Sequence, residues 1–152
     1  MRQGKGLPVD ASVLLSIDGT NNFQDEHSPA IGLILSRVIG EMAAFYVEPV
    51  FVHHSNVFQQ TTITDDNTFM VGLGARVHVL RTVYVVGEFT PRVSGYRPGV
   101  NQGSFGIEKR AGGHVFQLNF SNAFGTTIGQ IARGGTSTND WYLGFNISRK
   151  FF

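Results

Sequence analysis

No cysteine occurs in the 152 residues, which excludes a disulfide framework, a thiolate metal site, covalent c-type haem attachment and a cysteine nucleophile. Charge is scarce: 15% of residues are Asp, Glu, Lys or Arg, against about 25% in ordinary soluble domains. Lysine is scarcest, with only Lys5, Lys109 and Lys150. The formal net charge is +1 and like charges never form a block. That speaks against a polybasic nucleic-acid binder and against a charged disordered tail. No apolar run approaches the roughly 18 residues that a membrane-spanning helix needs. The opening MRQGKGLPVDAS lacks a charged head followed by an apolar run, so it does not read as a secretory signal. The expectation is that the chain stays inside the cell or that its export signal lies outside this sequence.

What the chain has instead is glycine, phenylalanine and alternation. There are 19 Gly and 13 Phe but one Trp, and apolar residues recur with period two in segment after segment, the mark of half-apolar strands. Val9, Ala11, Val13, Leu15 and Ile17 share one face; Phe69, Val71, Leu73, Ala75, Val77 and Val79 share another; Trp141, Leu143, Phe145 and Ile147 share a third. Eight strands are expected, over 7–17, 30–39, 42–54, 67–79, 82–93, 103–110, 113–122 and 140–151. Several run to ten residues or more, longer than the usual five or six or so of a globular strand.

The links between them alternate strictly. Short ones read GE, LR and AGG; long polar ones read DGTNNFQDEHSP, SNVFQQTTITDDN, SGYRPGVNQG and NAFGTTIGQIARGGTSTN. Short links make antiparallel hairpins, and all of them fall at one end of the sheet. An even strand count with short turns at the periplasmic end and long loops outside is the layout of an outer-membrane barrel. The reading is a single all-β domain over 1–152, an antiparallel up-and-down transmembrane barrel.

Period two alone does not say which face meets water. The face opposite the apolar one decides, because in a soluble barrel it would carry many Lys and Glu. Here it carries Ser, Gly, Asn, Thr and Tyr with few charges, as an enclosed polar interior would. Glu48, Arg76, His78, Glu88, Arg92, Glu108, Gln117, Asn119 and Asn146 are therefore expected to line the interior, with Arg110 and Asp10 near them. Glu48 with Arg76 and Arg76 with Glu88 are the expected cross-strand ion pairs. On the apolar face Phe51, Phe69, Phe89, Phe120 and Trp141 fall near one rim, and Phe45 and Phe151 near the other. Two such girdles are what a bilayer's interfaces select. The last strand ends in Phe151 and Phe152, which reads as a signal for the barrel-assembly machinery.

Candidate chemistry is sparse. His53 and His54 are adjacent on a strand and so point to opposite faces, which makes chelation of one metal difficult even with Asp65 and Asp66 nearby. His78 beside Glu48 or Glu88 has the makings of a general base, but no nucleophile can be tied to it. His114, next to the Gly112–Gly113 turn, reads as an interfacial polar residue. The Gly pairs of GGHVF and GLGAR lack the strand–turn–helix setting of a phosphate loop. The NIS sequon at 146–148 lies inside a strand. No catalytic residue, metal ligand or cofactor is expected.

GGHVFQLNFSNAFG at 112–125 and GFNISRKF at 144–151, with KGLPVDASV, ILSRVI and VEPVFVHHSNV earlier, resemble a bacterial outer-membrane β-barrel family, domain of unknown function 5777. The resemblance implies a barrel of Gram-negative bacteria with no established substrate or catalytic residues to carry over. It also implies a signal peptide and further strands before the point matching Lys5, so the expectation is either the C-terminal portion of a longer barrel or eight strands that close alone. The expected role is structural or porin-like, without enzymatic activity. Outer-membrane lipids, the assembly machinery and other envelope proteins, or a chain supplying missing strands, are the partners, and nucleic acid is not one. A soluble lipocalin-like barrel needs the same apolar faces to point inward around a ligand. An outer-membrane hydrolase needs His78 or His114 close to a nucleophile.

Overall fold

The computed structural model describes residues 8–58 and 64–149. Nine strands form one antiparallel sheet: β1 Asp10–Gly19, β2 His27–Ile39, β3 Ala43–Val52, β4 Thr68–Leu80, β5 Val83–Thr90, β6 Arg92–Ser94, β7 Gln102–Ala111, β8 His114–Ser121 and β9 Tyr142–Arg149. They neighbour one another in chain order, except that the three-residue β6 leaves the path to pair with β4. The eight long strands make an up-and-down meander curled into a half-barrel. Two short helices join them, a 3-10 turn at Asn21–Phe23 and α1 at Ile128–Ala132.

The three tight connections, between β2 and β3, β4 and β5, and β7 and β8, all lie at one end. Gly112 and Gly113 both have positive φ (56° and 79°), the two-residue geometry that suits a twisted hairpin. The expected fifth strand ends earlier than 93, at Thr90, because Pro91 cannot donate to the ladder; the chain then turns into β6. The expected sixth strand, by contrast, is a full ten residues. The long polar link after β8 is not loop throughout: it contains α1, capped by Thr127 and Gln130 reciprocally.

Alternation fixes two unlike faces. The convex face carries Val13, Leu15, Ile17, Ile31, Leu33, Leu35, Val47, Leu73, Val77, Val85, Ile107, Leu118, Phe145 and Ile147, all exposed. Leu73 is 43% exposed and Phe145 63%, whereas the side chains of Arg76 and Glu108 on the other face are only 29% and 13% exposed. The greasy residues thus point away from the interior, opposite to what a soluble barrel holding an apolar ligand requires. The small buried core sits on the concave side near the loop end, where Ala30, Val50, Val52, Met70 and Ala132 meet Ile128 and Ile131 of α1.

Among the described residues β1 is paired only with β2 and β9 only with β8.

Candidate functional site: the concave face and its outer rim

Three strands build the centre of the concave face. Tyr46, Gly74 and Glu88 lie in register on β3, β4 and β5, and the Tyr46 hydroxyl reaches across β4 to donate to the Glu88 carboxylate. The intervening position must be glycine, since a Cβ on Gly74 would stand inside the Tyr46 ring. Thr90 Oγ1 donates to the other oxygen of Glu88 (3.3 Å).

Arg76 makes neither of the ion pairs expected for it. Its Nε and Nη2 donate to Glu108 at 3.2 and 2.5 Å, a bidentate pair. The reason is register. Glu48 stands opposite Gly72, four residues along β4 from Arg76, while Tyr84 lies between His78 on β4 and Glu108 on β7. The guanidinium lies 3.6 Å over the Tyr84 ring on its way to Glu108. His78 stacks on the same ring at 4.6 Å between centroids, and Arg110 approaches it at 4.9 Å.

Around these groups lies a cavity of about 330 Å³, lined by Ser36, Tyr46, Arg76, Glu88, Ser104, Gln117 and Asn119 among others. Glu48 Oε1, His78 Nε2 and Asn119 Oδ1 are shielded polar atoms with no hydrogen-bond partner among the described residues, the kind of group that ordered water satisfies. Asn146, on β9 opposite Gln117, is exposed; among the described residues no strand pairs with β9 on its other side. Arg92 is set apart from the others. Its Nη1 donates to the carbonyls of Tyr96, Pro98 and Arg133 at 3.0, 2.7 and 3.0 Å, pinning two loops together.

The loop end is folded inward. Gly129 N on α1 donates to Asp18 Oδ2 at 2.5 Å, and Ile128 and Ile131 pack on the inward-facing Val50 and Met70. The connection from β8 to β9 thus lies across the mouth of the half-barrel. Nothing in its composition announced this except the Thr-x-x-Gln capping pair at 127–130.

A second cluster at the same end was not expected. His54 Nδ1 donates to Asp66 Oδ2 (2.6 Å), while its Nε2 stands 2.7 Å from Glu26 Oε2. His53 turns the other way to donate to Asn67 Oδ1 (2.6 Å). Ser28 Oγ donates to the His54 carbonyl (2.6 Å), and His54 itself sits at a positive φ of 54°. One imidazole therefore ties the β1–β2 loop to both sides of the β3–β4 loop. The Asp66 hydrogen bond raises the His54 pKa above its ordinary value; burial opposes this, and Glu26 adds to it. Among the described residues no three His, Asp or Glu side chains are grouped to hold a metal ion.

On the convex face Phe51, Phe69, Phe89, Phe120 and Trp141 lie toward the loop end and Phe45 toward the turns. Phe105 packs between Phe120 and Trp141, at 5.4 and 5.3 Å. Phe151 and Phe152 lie outside the described residues.

A family described as a membrane-bound β-barrel domain, domain of unknown function 5777, matches residues 8–151. The chain belongs to this family. Membership in the 5777 family makes it a membrane-bound β-barrel chain. No curated protein matches the chain, and no solved structure does.

Proposed function

We propose that this member of the 5777 family is an outer-membrane barrel component with a porin-like role, the passive passage of small solutes, and no catalytic one. The observation that carries this reading is the concave face itself: a polar wall around a cavity of about 330 Å³, with shielded polar atoms that have no partner among the described residues. The in-folded β8–β9 connection supports it, since a loop held across the mouth narrows a passage without filling the wall below. Alternating short turns and long loops support an outer-membrane setting. Assembly would then pass through the barrel-assembly machinery, with other envelope proteins meeting the long loops.

An open sheet edge is costly in lipid, so closure against further strands, supplied by a longer chain or by a partner, belongs to this reading. The test is reconstitution of the detergent-extracted, heat-modifiable protein into planar bilayers. Stepwise conductance is the expected result. A folded, inserted protein that passes neither ions nor small sugars would overturn passage and leave a structural role.

A further inference from the structure

The convex face is apolar almost throughout, and its charged exceptions are all of one sign. Among the described residues the outward positions of the long strands hold three charged side chains, Arg37 on β2, Lys109 on β7 and Arg149 on β9, and no carboxylate. Each stands within two residues of its strand's turn-side end, or at it. The concave face mixes both signs, as with Arg76 and Glu108. The connections also carry both signs at either end: Glu41 and Arg81 in the turns, and Asp25, Glu26, Asp65, Asp66 and Asp140 with Arg97 and Arg133 in the long loops. Cations on the lipid-facing side are thus segregated to one rim.

Depth places them at the bilayer interface. A tilted strand gains roughly 2.4 Å of depth per residue, from a rise of about 3.4 Å at about 45°. Arg37 is four residues, or two outward positions, past mid-strand Leu33, so about 10 Å from the midplane of an apolar band about 25 Å tall. That is where the long stems of Arg and Lys lie along hydrocarbon while their charges reach the headgroups. On the other side of the sheet Arg149 stands opposite His114, and Lys109 opposite the next outward residue, Phe116. Strand spacing puts the Lys109 and Arg149 backbones roughly 12 Å apart.

We infer that this turn-end rim is a binding surface for anionic phospholipid headgroups, with Arg37 at one place and Lys109, Arg149 and His114 at another. Charge complementarity selects the partner: cations without carboxylates on a lipid-facing surface favour a phosphate that bears net charge over one neutralised by choline. Binding at this rim also fixes the protein's depth, because the cations hold the turns at one leaflet's phosphates.

The protein is reconstituted in vesicles with spin-labelled phosphatidylglycerol or phosphatidylcholine at the protein boundary. About a threefold or greater preference for phosphatidylglycerol is expected, given roughly 1 kcal/mol per cation near a charged surface. Raising salt to about 0.5 M should weaken it. The combined Arg37→Gln, Lys109→Gln, Arg149→Gln variant should lose it, whereas Arg110→Gln on the concave face should leave it unchanged. No preference in the native protein overturns the inference, as does a preference kept by the triple variant or abolished by Arg110→Gln. If the triple variant does not insert, the native preference and its salt dependence decide alone.

Discussion

At the scale of single residues, the chemistry that matters is pairing at a distance. His54 is held by two carboxylates from two loops, an arrangement favourable only while the ring carries both protons. Its folded-state pKa is raised above the ordinary value of about 6.5. The stabilisation is therefore fully present below that ordinary value and is lost as pH rises through the higher folded one. Amides of the segments around Glu26 and Asp66 are expected to exchange faster with solvent at pH 9 than at pH 6, after correction for intrinsic exchange. A His54→Gln variant should show no such pH-dependent difference. Equal protection of these loops at the two pH values in the native protein would show that the clamp does not hold them. The adjacent histidines and aspartates were visible in the sequence, and their opposed directions followed from strand geometry. Glu26 was not, because its position depends on how a loop folds back over β2.

At the scale of elements, the strands and hairpins were legible because their signals are local: period two for the strands, Gly at positive φ for the turns. Arg76's true partner was not, since β5 lies between it and Glu108 and only the register reveals the diagonal. Helix α1 escaped for a different reason. Five residues make less than two turns, too few for an apolar stripe, and its stability comes from packing on Val50 and Met70. What holds it is correspondingly specific. Thr127→Ala removes the side chain that caps Gln130 N and should cost about 1 kcal/mol of local stability. Asp18→Ala leaves the shielded Gly129 N–H without its acceptor and should cost about 1–3 kcal/mol. Hydrogen exchange at residues 128–132 would read both. Protection unchanged by either substitution would mean that apolar packing alone keeps the connection inside the half-barrel.

At the scale of the whole molecule, orientation governs everything else. The apolar faces were legible in the sequence, and the poverty of Lys and Glu opposite them indicated which way they point. Closure was not legible, because it depends on what meets β1 and β9 rather than on the alternation within either. The outward face also makes a quantitative demand on where charge is tolerated. Leu33, 40% exposed, sits near the middle of β2, and Ile39, 47% exposed, ends the same strand beyond Arg37. If lipid covers this face, a cation at the first position is buried in hydrocarbon and one at the second reaches the headgroups. Leu33→Arg should then destabilise the folded protein in bilayers by about 2–4 kcal/mol, and Ile39→Arg by about 0–1 kcal/mol. Denaturant titration in vesicles measures both, and the gradient between them is the informative quantity. If the two substitutions cost the same, the face meets water or protein instead, and the natural arginine at 37 loses its significance as a marker of depth.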